Sequence, residues 1–172
     1  MGEPDVVRAL SASGGVIQSE GVQGMNVRGG GQEQNLILFD GATIYNPSHL
    51  LGFFSIFNFD IVGNATLYKG AVPAKYGGRL SSVLEISSLQ ANTESIEAKA
   101  SVGLLSSRIM ANIPLSTKSA IRFSLRKTYL DFIAMPIAQK AFAKGKTLQT
   151  SFEFYDATLR YDYKINQKNS VS

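Results

Sequence analysis

The sequence predicts two segments built by different rules: a glycine-rich α+β unit over residues 1–90, then an antiparallel array of alternating strands over residues 91–172. Three observations carry this division. Fourteen of the 16 glycines precede residue 88, and only Gly103 and Gly145 follow it. Residues 1–88 hold five basic and seven acidic side chains, a net of −2, while residues 89–172 hold twelve basic and six acidic, a net of +6. Beyond Ser95 the apolar residues recur with a period of two, the spacing of strands with one apolar face.

A chain of 172 residues suffices for one ordinary domain or two small ones, and an apolar content of 44% excludes wholesale disorder. The absence of cysteine excludes a disulfide frame, a thiol nucleophile and any cysteine-built metal site. No run approaches the ~20 apolar residues of a membrane-spanning helix. The opening "MGEPDVVRAL" lacks a signal-peptide pattern, and Val6 stands where a myristoylation motif needs Ser or Thr. Such a start is expected to lie inside a longer polypeptide.

In the first segment "EPDVVRAL" predicts a short helix with Pro4 in its first turn and Val6, Val7 and Leu10 on one side. "SASGG" stops it, and residues 15–24 read as loop. "GMNVRG" (24–29) is a short strand. "NLILFDG" (35–41) and "ATIYN" (42–46) predict a tight hairpin about Asp40-Gly41. The Phe-rich run 47–64 carries a helix-compatible pattern around residues 50–57. "ATLYKG" (65–70) and "LSSVLEISS" (80–88) are further strands.

The conspicuous polar residues of this segment support no catalytic site. "RGGG" (28–31) resembles a phosphate loop, but a strand follows it where a helix N-terminus is needed, and the Gly-Lys-Ser/Thr ending is missing. His49, the single histidine, makes neither a metal site nor a triad, and reads as a turn or helix-start residue. Asp40 has no second carboxylate at a meaningful spacing. The chain is therefore expected not to be an enzyme and to need no cofactor or metal.

In the second segment four strands of about ten residues alternate. Ile96, Ala98, Ala100, Val102 and Leu104 oppose Glu97 and Lys99; Ile109, Ala111, Ile113 and Leu115 oppose Arg108 and Asn112. Ile121, Phe123 and Leu125 oppose Arg122 and Arg126. Tyr155, Ala157, Leu159, Tyr161 and Tyr163 oppose Asp156, Arg160 and Asp162. "STKS" (116–119) is a tight turn, and residues 132–150 form a long basic connection. This pattern fits a transmembrane β-barrel, with Arg108, Arg122, Arg126, Asp156, Arg160 and Asp162 lining a wet lumen and Tyr129, Tyr161 and Tyr163 in an interfacial girdle. It fits equally a soluble antiparallel sheet with one wet face. Small membrane barrels need about eight strands, so as a membrane protein the chain is expected to be incomplete. Its basic residues alternate along strands rather than forming one patch, which argues against nucleic acid.

"MNVRGGGQEQNLILFDGATIYNPSHLLGFFSIFN", "ATLYKG" and "AKYGGRLSSVLEIS", in this order and spacing, resemble the TonB-dependent outer-membrane receptors, in the variant common among Bacteroidetes. Arg28-Gly29 matches the family's Arg-Gly strand ending and Asp40-Gly41 its Asp-Gly. Lys69-Gly70 stands for its Arg-Gly, with Ala71 in place of Pro, and Tyr76-Gly77, followed by Gly78, for its Tyr-Gly pair. The resemblance implies an α+β plug domain over 1–90 and the first antiparallel transmembrane β-barrel strands over 91–172, an incomplete barrel. It implies import of a bulky nutrient (an iron chelate, cobalamin or an oligosaccharide), with plug gating driven by TonB through an upstream segment not in this sequence. The other implied partners are outer-membrane lipid and an extracellular ligand, with a surface lipoprotein beside it; the alternative is a soluble binding module. It further implies that Arg28, with Lys69 and Arg79, forms a polar lock against barrel carboxylates beyond this chain.

Overall fold

The computed structural model describes residues 5–17, 24–49, 54–129, 153–166 and 169–172. The chain falls into two compact units, Met1–Leu89 and Gln90–Ser172.

The first unit is built on a four-stranded sheet. It opens with helix α1 (Val6–Ser11), capped by Asp5, whose carboxylate accepts the Arg8 N–H at 3.0 Å. The same carboxylate accepts the Ser55 N–H at 3.0 Å, so one acidic residue both starts the helix and docks it. Two-residue strands β1 (Val16–Ile17) and β2 (Asn26–Val27) pair antiparallel. β3 (Asn35–Phe39) turns into β4 (Ala42–Thr43), and β7 (Val62–Tyr68) and β8 (Ser82–Ser88) complete the sheet in the order β4-β3-β8-β7. β3 and β8 run parallel at its centre, with Leu36 opposite Val83 and Phe39 opposite Ile86. Strands buried on both faces need apolar residues at consecutive positions, and "LIL" and "VL" supply them. Val6, Val7, Val16, Met25, Val27, Ile37, Phe57, Leu84 and Ile86 close the core.

The Asp40-Gly41 hairpin forms as its sequence requires: both residues take positive φ, 48° and 82°, in the mirror-image turn that matches strand twist. The helix-compatible pattern around 50–57 is not realised in the described part of that run. β5 (Ser48–His49) pairs with β6 (Phe54–Ser55) instead, and His49 lies in a strand. Phe54 and Phe57, the spacing that read as helical, are both buried, but from a short β-pair and its exit. A run whose Phe and Ile residues suit either period takes the one that tertiary packing rewards. Among the described residues the first unit holds one α-helix and two single-turn 3₁₀ helices (Gln32–Gln34 and Phe59–Ile61).

The second unit is an antiparallel meander of β9 (Glu97–Val102), β10 (Ser106–Ser116), β11 (Ser119–Thr128), β12 (Tyr155–Lys164) and the short β13 (Ser170–Val171), paired in chain order. β10 and β11 join through Thr117-Lys118, with a register irregularity between Pro114 and Ser116 where proline withholds its donor. The long connection predicted over 132–150 lies outside the described residues.

Candidate functional site

Two arrangements in the molecule have chemical consequences: one face of the second unit's sheet, and the turns at one edge of the first unit.

The sheet of the second unit is inverted relative to a water-soluble one. Its pairing places Arg108 opposite Arg126 and Arg126 opposite Asp156, and Asn112 between Glu97 and Arg122, which in turn faces Arg160. Because side chains alternate, these rows and Asp162 share one face. Arg108, Arg122, Arg126, Asp156, Arg160 and Asp162, predicted from alternation, are thus brought together; Arg122, Arg126 and Asp162 are buried and the other three half-buried. The other face carries Ile109, Ile113, Leu125, Tyr155, Leu159, Tyr161 and Tyr163, all of them exposed. Leu159 stands 73% exposed at the middle of β12.

The buried charges are paired within the sheet. Arg126 donates through Nε and Nη2 to Asp156 Oδ2 at 2.8 and 2.5 Å and lies over the Phe154 ring. Arg160 grips Asp162 with two parallel bonds of 2.8 Å. Arg122 reaches Glu97 at 3.6 Å, but its buried Nε has no hydrogen-bond partner among the described residues. Asp162 also accepts the Ala91 N–H at 2.7 Å. Asn112, completely buried, accepts the Asn92 N–H and donates to the Asn92 and Ser95 carbonyls. The segment from Ala91 to Ser95 is therefore strapped across the polar face. Sequence reasoning placed Asn112 on the polar side of its strand but assigned it no role, because its partners are backbone groups that no side-chain pattern reveals.

In the first unit Arg28 and Gly29 form the tip of a tight turn, both at positive φ (49° and 81°), closed by the Gly30 N–H on the Val27 carbonyl. Gly70 faces the guanidinium of Arg28: a Cβ built there would stand 2.8 Å from Arg28 Nη1. Glycine at 70 is what lets Arg28 lie across this strand end. Lys69 beside it donates to Ser13 Oγ and the Gly14 carbonyl at 3.2 and 2.9 Å, so its ammonium is engaged within the unit. Neither Arg28 nor Arg79 has a carboxylate partner among the described residues; both are exposed, Arg79 at the rim of a 270 Å³ pocket with Met25, Asn35 and Tyr45.

Asp40 does more than occupy a turn. Its carboxylate accepts the N–H and the hydroxyl of Ser88 at 2.8 and 2.6 Å, which fastens the end of β8 to the β3–β4 hairpin. Tyr76 donates its hydroxyl to Glu85 at 2.5 Å, stacks near Tyr68 and underlies the Lys75 ammonium at 4.5 Å. The bond to Glu85 raises the Tyr76 phenol above the ordinary tyrosine range, and the contact with Tyr76, then Glu85, raises Lys75. Gly77 and Gly78 form the open turn that carries Tyr76 back toward β8, Gly78 at a φ of 84°. Asn35 was not foreseen: its buried amide donates to Met25 and Gly31 carbonyls and accepts the Ser82 hydroxyl at 2.6 Å, knotting three segments.

Residues 2–82 match the TonB-dependent Receptor Plug Domain. No curated protein and no solved structure matches the chain. The matched stretch contains the Arg28-Gly29 turn, the Asp40-Gly41 hairpin, Lys69-Gly70 and the Tyr76-Gly77 turn, so the first unit is similar to the plug domain of TonB-dependent receptors.

Proposed function

We propose that the chain is part of an active importer of the outer membrane, with residues 1–90 as its plug and residues 91–172 as the first four long strands of its barrel wall. One observation carries the barrel half of this reading: one face of the second unit's sheet buries Arg122, Arg126 and Asp162, while the other exposes Ile109, Ile113, Leu125, Leu159, Tyr155, Tyr161 and Tyr163. Water disfavours that arrangement by roughly 25 cal/mol for each Å² of exposed apolar surface, whereas hydrocarbon reverses the preference. The role is transport rather than catalysis. The partners are outer-membrane lipid on the apolar face, TonB through a segment upstream of the plug, and a bulky extracellular nutrient, delivered with a surface lipoprotein. Arg28 and Arg79, both exposed, would pair with barrel carboxylates beyond this chain, with Lys69 as a supporting charge.

Replacing Leu159 by Arg separates this reading from a soluble binding module. On a water-facing sheet, an exposed Leu→Arg change is neutral within about 0.5 kcal/mol. On a lipid-facing strand near the bilayer centre it costs about 2–4 kcal/mol. Assembly of the complete receptor into outer membranes, followed by its urea unfolding midpoint, distinguishes the two. An unchanged midpoint and yield for Leu159→Arg would remove the membrane assignment.

A further inference from the structure

The covalent passage between the two units narrows to one unfastened residue. On its N-terminal side, Ser88 is held through its N–H and hydroxyl by Asp40, and the Leu89 N–H donates to the Ile61 carbonyl at 2.7 Å. On its C-terminal side the Ala91 N–H donates to the buried Asp162 carboxylate at 2.7 Å, and the Asn92 N–H to Asn112 Oδ1 at 2.7 Å. Asn112 also holds the Asn92 and Ser95 carbonyls at 2.8 and 2.9 Å, and Lys164 reaches the Thr93 hydroxyl at 3.2 Å. Gln90 between them is exposed and makes no hydrogen bond among the described residues. The unit boundary falls at its N-terminal side.

We infer that Gln90 is a single-residue pivot between two backbone clamps, Asp40–Ser88 on the plug side and Asp162/Asn112–Ala91/Asn92 on the wall side. This rests on the transport reading for its use, though not for its existence. A plug that rearranges under a pull turns about the φ and ψ of Gln90. The strap from Ala91 to Ser95 stays on the wall as a fixed anchor, because four of its backbone groups are bound to side chains of β10 and β12 that themselves belong to a continuous hydrogen-bonded sheet. The wall clamp is built from a buried carboxylate already held by Arg160 and a buried amide, so loosening it leaves polar groups stranded. The plug clamp rests on Asp40, which is exposed, and water replaces its bonds at lower cost.

Residue-resolved amide exchange on the complete receptor in lipid tests this without any ligand. The pivot predicts slow exchange at Ser88, Leu89, Ala91 and Asn92 and exchange at least about tenfold faster at Gln90. Asn112→Ala accelerates Asn92 about tenfold, the loss of roughly one hydrogen bond, and leaves Ser88 and Leu89 unchanged. Asp40→Ala does the converse. The proposal is overturned if Gln90 is as protected as its neighbours, or if either variant releases both sides together, since the passage would then be one rigid body. Should Asn112→Ala fail to assemble, the wild-type profile and Asp40→Ala still decide the question. Failure of the transport reading shows separately, in the tolerance of Leu159→Arg, and leaves the exchange pattern intact.

Discussion

Asp40 shows how one residue is asked to satisfy two demands. The hairpin requires a residue that tolerates a φ of 48°, and the end of β8 requires an acceptor for the Ser88 N–H and hydroxyl. Aspartate meets both, so Asp40→Ala is expected to destabilise the first unit by about 2 kcal/mol, while Asp40→Asn, which keeps the turn and one acceptor, costs roughly half of that. Chemical denaturation of the complete receptor or of its plug signal checks the order; equal costs would mean that the turn conformation alone matters. Tyr76 gives a pH signature. Its bond to Glu85 favours the neutral phenol, so its folded pKa lies above the unfolded value. The contribution is therefore complete below the ordinary tyrosine range and is lost as alkaline pH rises through the folded value. The difference between tyrosinate absorbance titrations of the wild type and Tyr76→Phe is expected to place this residue above the ordinary tyrosine range, and Glu85→Gln to bring it down. Arg28 belongs to the same scale: Arg28→Glu in the complete receptor is expected to raise permeability to a large hydrophilic antibiotic, and unchanged permeability would remove it from the proposed lock.

At the scale of elements, what was legible in the sequence followed the strength of local physics. The Asp-Gly turn and the alternation of β10, β11 and β12 read directly, because turn chemistry and a period of two are local properties. The β5–β6 pair did not, since Phe54, Ile56 and Phe57 satisfy a helical spacing as well as a strand and only burial chooses between them. Nor did the central parallel pairing of β3 with β8, which joins Asn35 to Ser82 across 47 positions of chain. The polar knot at Asn35 belongs with that pairing. Asn35→Ala would leave the Met25 and Gly31 carbonyls and the Ser82 hydroxyl without this partner, and is expected to cost about 3 kcal/mol, read as a lowered unfolding midpoint. Of the residues singled out from the sequence, the six charges of the second segment share one face, but the clamps that hold it, Asn112 above all, act on backbone carbonyls and amides and leave no mark on side-chain patterning.

For the whole molecule, one chain contains two opposite solutions to solvation. The first unit encloses Val27, Leu84 and Ile86 with no exposed surface on Val27 and Leu84, as a protein in water does. The second turns Leu159, Leu125 and Ile109 outward and draws Arg122, Arg126 and Asp162 in. Each arrangement is sensible only in its own medium, and the proposed plug followed by a barrel wall would supply both. The most direct test of that claim is the medium touching β12. Single spin labels at Leu159→Cys and Thr158→Cys, in the complete protein in native membranes with any cysteine outside this sequence replaced, report adjacent positions on opposite faces. The account predicts that lipid-soluble oxygen relaxes the label at 159 more than a water-soluble nickel chelate does, with the ratio reversed at 158. A chelate-dominated label at 159 would contradict it.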